Sequence, residues 1–160
     1  SGFSLTAVPL LSGYLGLCPL PGAGGQMEDD MARLRDWRAD VVLTLVEPAE
    51  MAALGVAGLP LLVQGAGAIW RHFPIEDYGV PEAGDWPALS EELRGGLVQG
   101  ARVIIHCRGG CGRTGMIALR LMLEAGEAPG AALARLRVAR PCAIETEAQM
   151  DWALAGRVTP

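Results

Sequence analysis

The sequence predicts an α/β fold with a mainly parallel central sheet flanked by helices. Val41-Val42-Leu43-Thr44-Leu45-Val46 and Arg102-Val103-Ile104-Ile105-His106 are short, β-rich apolar runs, as expected of strands covered on both faces. Other stretches space their apolar residues by three and four, as Met27, Met31, Leu34 and Trp37 do, which fits helices packed by one face. The two patterns alternate along the chain, the signature of a parallel sheet with helical crossovers.

Up to Gly25 the chain reads as short extended pieces, broken by Pro9, Gly13, Pro19, Pro21 and a Gly-Ala-Gly-Gly turn. Residues 1–160 are expected to form a single domain, with 1–25 an extended N-terminal segment packed on it. The apolar start lacks the basic flank of a signal peptide and is interrupted by Pro9, Ser12, Gly13 and Gly16. No apolar run approaches the roughly 20 residues of a membrane span. A helix from Gln26 to Trp37 leads into the strand at 41–46. Glu47-Pro48 opens a short helix to Leu54, and a weak helix surrounds Leu61 to Gln64. Ala68 to Phe73 is a second strand, stopped by Pro74, and a turn-rich loop runs from Glu76 to Asp85. Trp86-Pro87 starts a helix with Leu89, Leu93, Leu97 and Val98 on one side. Arg102 to His106 is the third strand. Beyond a Gly-rich turn lie helices at Thr114–Ala125, Pro129–Arg140 and Thr146–Ala155.

Composition removes several chemistries. All 13 basic residues are Arg, so a nucleotide loop that needs Lys on the phosphates is excluded, as is Schiff-base catalysis. A net charge of −5 argues against general affinity for nucleic acid or an acidic membrane. Any anion must be gripped locally. Cys18, Cys107, Cys111 and Cys142 have no zinc spacing, and only His72 and His106 could assist them, so no metal is expected. The four are expected to be free thiols in a cytoplasmic protein.

One segment concentrates chemistry: His106-Cys107-Arg108-Gly109-Gly110-Cys111-Gly112-Arg113-Thr114 leaves a strand, turns and enters a helix. Successive backbone N–H groups then face a concavity at the positive end of the helix dipole, a nest for a phosphate. Gly109, Gly110 and Gly112 keep side chains out of the backbone's approach. Arg113 closes a bidentate fork on two phosphoryl oxygens. Cys107, at the base of the nest, is favoured as the thiolate and is placed for in-line attack on phosphorus. Thr114 is positioned to donate its hydroxyl to the sulfur. His106 is expected to hold the loop through ring hydrogen bonds. The departing oxygen needs a proton, and Asp77, just past the second strand, is the expected acid at the carboxyl edge of the sheet. Glu76 and Asp85 compete for that role.

The segment is similar to the H-C-x5-R-[ST] loop of the cysteine-dependent dual-specificity protein phosphatase family. Flanking stretches narrow the resemblance to the branch of kinase-associated phosphatase, or cyclin-dependent kinase inhibitor 3. They are Gly13–Gly22 (GYLGLCPLPG), His72–Glu82 (HFPIEDYGVPE) and Ala143–Thr146 (AIET), in family order over nearly the whole chain. The resemblance implies a protein-tyrosine-phosphatase-like fold, with Cys107 as nucleophile, Arg113 as phosphate clamp and Asp77 as general acid, and no metal or cofactor. Its substrate would be a phosphorylated protein (phosphotyrosine, phosphoserine or phosphothreonine) or a small phosphomonoester. It carries over no partner kinase, because no partner-contacting residues are identifiable. Two departures stand out. Glu145 occupies a position where many relatives carry Gln, in the segment that can place the hydrolytic water; Gln149, one helical turn on, is an alternative source of the amide. Cys111 lies where relatives usually have an uncharged non-cysteine residue.

Two other classes remain open on the sequence. Glu145 points to an inactive phosphatase-like module that binds phospho-ligands, and Cys107 with Cys111 points to a redox or sulfur-transfer protein. Cys111 reads first as a small loop-filling residue, and Cys18 and Cys142 as buried small hydrophobes. Arg108 is either a solvated charge or a contact for phosphosubstrates. His72 reads as a structural strand-end residue. Arg135, Arg137 and Arg140 read as a solvated face, with Arg140 near the pocket border.

Overall fold

A computed structural model describes residues 3–158; positions 1–2 and 159–160 of the expected domain lie outside the described residues. The extended N-terminal pieces form a hairpin, β1 (Thr6–Leu10) and β2 (Gly13–Cys18). Pro9 is tolerated because β1 is an edge strand, where a missing N–H costs no ladder bond. There follow α1 (Met27–Asp36), β3 (Val41–Thr44), α2 (Pro48–Ala53), α3 (Leu59–Gly65), β4 (Ile69–His72) and α4 (Trp86–Val98). The chain ends with β5 (Arg102–His106), α5 (Gly112–Glu124), α6 (Pro129–Ala139) and α7 (Glu147–Leu154). Among the described residues no helix is long and apolar enough to cross a membrane.

The five strands lie in the order β1-β2-β5-β3-β4, with β1 antiparallel to β2 and every other pairing parallel. The expected mainly parallel sheet is therefore present. Val103, Ile104, Ile105 and His106 are all buried, so β5 is covered on both faces, as its unbroken apolar run required. Helices α4 and α5 both pack on β2 and β5, and α5 is buried almost all round because α6 and α7 enclose it. Asp85 starts α4 by accepting the N–H of Ala88 at 3.1 Å, and Thr146 starts α7 by accepting that of Gln149 at 3.1 Å.

Parallel register fixes where the site falls. Cys18 pairs with His106, His106 with Thr44, and Thr44 with His72. Four strands thus end level at one edge of the sheet. The segments that follow carry Cys107 after β5, Glu50 in the first turn of α2 after β3, and Asp77 after β4. Open parallel sheets build their ligand sites at this carboxyl edge.

Candidate active site

Cys107 is the first residue beyond β5, and its side chain is buried. The Thr114 hydroxyl, in the first turn of α5, donates to its sulfur at 3.0 Å. The loop between them has its carbonyls turned away from the nest. Leu20 N–H donates to the Arg108 carbonyl at 3.0 Å. Arg140 donates through Nε to the Gly110 carbonyl at 2.9 Å and through Nη2 to that of Gly109 at 3.2 Å. Because C=O and N–H of one planar peptide point oppositely, pulling these carbonyls outward aims the amides of Gly109, Gly110 and Cys111 inward. Gly110 is required twice over. Its φ is +75°, and a Cβ there would stand 2.6 Å from the Cys18 carbonyl. A Cβ on Gly109 would meet nothing within 4 Å, so no neighbouring group demands that glycine.

The clamp is held by a residue that motif reading missed. Arg113 Nη1 donates to Glu50 Oε1 at 2.6 Å and Nη2 to Glu50 Oε2 at 3.0 Å, a two-pronged pair. Nη1 also donates to the Ile75 carbonyl at 2.9 Å. Glu50 in addition accepts the Glu47 N–H at 3.1 Å, closing a capping box on α2. Glu47-Pro48-Ala49-Glu50 reads completely as a helix start, which hid its second role. Burial alone would raise the Glu50 carboxyl; the Arg113 hydrogen bonds, the Glu47 amide and the charges of Arg113 and Arg108 outweigh it and hold the group below the usual carboxylate range.

Asp77 reaches the same guanidinium, with Oδ1 3.2 Å from Arg113 Nη2. Its competitors do not: Asp85 is spent on capping α4, and the Glu76 side chain makes no ion pair with Arg113 among the described residues. Gln149, fully buried, donates from Nε2 to the Gly79 carbonyl at 3.1 Å and accepts the Glu145 N–H at 3.0 Å. It therefore ties the Asp77 turn to α7. The Glu145 carboxylate lies against Gly112 at the start of α5, where any Cβ would collide with it. Arg108 is exposed and borders, with Phe3, Pro19, Leu20 and Leu54, a groove of ≈ 420 Å³ beside the loop.

His106 makes two ring hydrogen bonds at the end of β5. The Cys107 carbonyl can only accept, so the ring bonds it from Nδ1–H at 3.2 Å, and the bare Nε2 takes the Thr44 hydroxyl at 2.6 Å. Thr44 in turn accepts the Trp70 indole N–H at 2.9 Å. His72 likewise bonds the Val46 carbonyl, at 2.8 Å, as a structural strand-end residue.

Three expectations fail. Cys111 and Cys142 are neither loop filler nor buried hydrophobe: they are joined in a disulfide, and Cys142 is exposed. That pairing also removes the suggested Cys107–Cys111 couple, leaving Cys107 and Cys18 as the free thiols. Of the late arginines, Arg137 is exposed and Arg135 half-buried, as a solvated face requires, but Arg140 does not belong to that face. Arg140 is buried behind the loop, Arg137 donates to the Ala143 carbonyl at 3.0 Å, and Arg135 pairs with Glu127 at 2.7 Å.

Residues 1–132 match the profile of the family described as cyclin-dependent kinase inhibitor 3. The cyclin-dependent kinase inhibitor 3 proteins of mouse and human are 32% and 31% identical over 148 and 149 residues, each covering 88% of this chain and 70% of the relative. Kinase-associated phosphatase, solved with its catalytic-site cysteine replaced by serine, superposes with a TM-score of 0.83 at 28% identity, over 96% of this chain and 93% of that one. Tk-PTP in its active form gives a TM-score of 0.71 at 25% identity, over 92% of each chain. Fold, site and relatives together make this a cysteine-dependent protein phosphatase of the dual-specificity type. Within that class the chain belongs to the cyclin-dependent kinase inhibitor 3 family.

Proposed function

We propose that the phosphatase reaction runs through Cys107, Arg113 and Asp77, in two steps. The Cys107 thiolate attacks phosphorus while the bond to the leaving oxygen breaks and Asp77 delivers a proton to that oxygen. Asp77 then takes a proton from water, whose oxygen attacks the phosphocysteine. The S–P bond breaks, the thiolate returns and inorganic phosphate departs. Loop amides and Arg113 stabilise the transferring phosphoryl charge throughout, and the Thr114 hydroxyl stabilises the sulfur as nucleophile and leaving group.

The observation that carries this reading is the Arg113–Asp77 pair at 3.2 Å, with the neighbouring Thr114 hydroxyl donating to the Cys107 sulfur at 3.0 Å. Glu50 holds the Nη1–Nη2 edge of the guanidinium, while Nε makes no bond among the described residues. A phosphate gripped by Nε and the second Nη2 hydrogen would take the place of Asp77. Substrate binding thereby releases the acid at the moment it is needed. Gln149 positions the Asp77 turn in this scheme, since its Nε2 bonds the Gly79 carbonyl.

The substrate in this proposal is a phosphorylated protein, presenting phosphotyrosine, phosphoserine or phosphothreonine in the nest and flanking residues in the groove beside Arg108. Relatives named as a kinase inhibitor and a kinase-associated phosphatase support a protein substrate over a small phosphomonoester. We read residues 1–160 as one phosphatase domain working in the cytoplasm. Asp77→Asn is the test of the acid. It should lower kcat/KM most for phosphates with poor leaving groups, measured across a series of aryl phosphates. An equal loss for good and poor leaving groups would assign the proton to another residue.

A further inference from the structure

The Cys111–Cys142 disulfide lies outside the reaction just described, yet one of its halves belongs to the loop that binds phosphate. Cys111 is the last loop residue before α5, and its amide is one of those aimed into the nest. Cys142 sits on the exposed turn after α6, so the bond fastens the loop to residues 140–145. The same short segment grips the loop at neighbouring positions. Arg140 holds the Gly109 and Gly110 carbonyls, and the Ile144 N–H donates to the Cys111 carbonyl at 3.2 Å. The covalent tie is thus the middle of three attachments that set where the loop amides point.

The two kinds of cysteine are also segregated. The disulfide is at the surface, with Cys142 exposed and Cys111 half-buried, open to attack by an external thiolate. Cys18 is buried and its thiol is pushed far up by desolvation, which makes it a poor competitor in exchange.

We propose that Cys111 and Cys142 form a reversible dithiol–disulfide pair whose oxidised form holds the loop in its phosphate-binding shape; this rests on the loop being the phosphate site. In the oxidising direction hydrogen peroxide takes two electrons and two protons from the thiols and leaves as two waters. In the reducing direction the thiolate of an external dithiol attacks the Cys142 sulfur and the S–S bond breaks with Cys111 leaving. The second thiol of the reductant then displaces Cys142 and closes the reductant's own disulfide.

The test uses the Cys107→Ser chain, in which neither turnover nor oxidation of the nucleophile interferes, with inorganic phosphate as the probe. After equilibration with glutathione disulfide, denaturing alkylation should modify one of its three cysteines, and all three once a dithiol has been added. Reduction should raise the Kd for phosphate about fivefold or more. By linkage, saturating phosphate should protect the disulfide by the same factor. Cys107→Ser/Cys142→Ser should show the weaker Kd with or without the dithiol. Three alkylated cysteines before reduction would overturn the proposal, as would a phosphate Kd indifferent to reduction or a double variant that still responds. Absence of phosphate binding in both redox states overturns it too. If instead the redox response is found while the wild-type chain hydrolyses nothing, the pair stands and the turnover scheme falls.

Discussion

His106, the residue before Cys107, is buried and carries no charge near neutral pH. Its burial is the largest influence, and it outweighs the Cys107 carbonyl bond; with Arg113 and His72 nearby, the imidazole is pushed down to about 4. The unfolded chain therefore binds the extra proton between about pH 6.5 and 4 while the folded one does not. Stability contributed by this residue is complete above pH 6.5 and is lost as pH falls through that window, by up to about 3 kcal/mol. Glu50 acts with the same sign lower down, because its folded carboxyl is held below its ordinary value. Unfolding free energies measured from pH 7 to 4 should fall steeply for the wild type and less for His106→Asn. Parallel curves would contradict the assignment. At this scale the sequence exposed what is contiguous: Cys107, Arg113, Thr114 and His106 lie within one nine-residue run. Glu50 is 63 positions from Arg113 and is disguised by its own capping box, so nothing local announced it. The Cys111–Cys142 pair, 31 positions apart, was equally silent, because spacing does not encode disulfide partners.

Among the elements, the strand–loop–helix unit of β5 and α5 was legible because an apolar β-rich run, three glycines and a helical repeat follow one another directly. The way its loop is shaped was not. Three outward carbonyls are taken by Leu20 and Arg140, groups that lie far off in the sequence and meet the loop only through tertiary packing. Helical spacing alone gave Arg140 to solvent, whereas it also reaches Ser4 Oγ at 3.0 Å and Thr6 Oγ1 at 3.2 Å, bridging β1 to the loop. Arg140→Ala leaves several buried acceptors unpaired and should cost about 2–4 kcal/mol of stability. In the folded fraction it should raise KM for an aryl phosphate more than it lowers kcat. Arg140→Lys should recover only part of the loss, since an ammonium cannot span the two carbonyls as a planar fork does. A folded Arg140→Ala protein with unchanged KM would remove Arg140 from the positioning of the loop.

Over the whole molecule, the alternating strand and helix patterns foretold the parallel sheet, and level strand ends then brought β3, β4 and β5 to one catalytic edge. The closing hairpin was read only as extended pieces, since antiparallel addition of β1 at an edge leaves little periodic signal in five residues with a proline among them. A chain with a net charge of −5 handles a dianion because its positive field is confined to one loop, backed by one guanidinium and a helix terminus. The direct test of this account is rapid-quench peptide mass analysis during hydrolysis of an aryl phosphate, run beside steady-state phosphate release. A phosphoryl group should appear on the Cys107 peptide of the wild type, and Cys107→Ser should show neither adduct nor turnover. Phosphate release that persists in Cys107→Ser, or a phosphoryl group carried by a different residue, would contradict it.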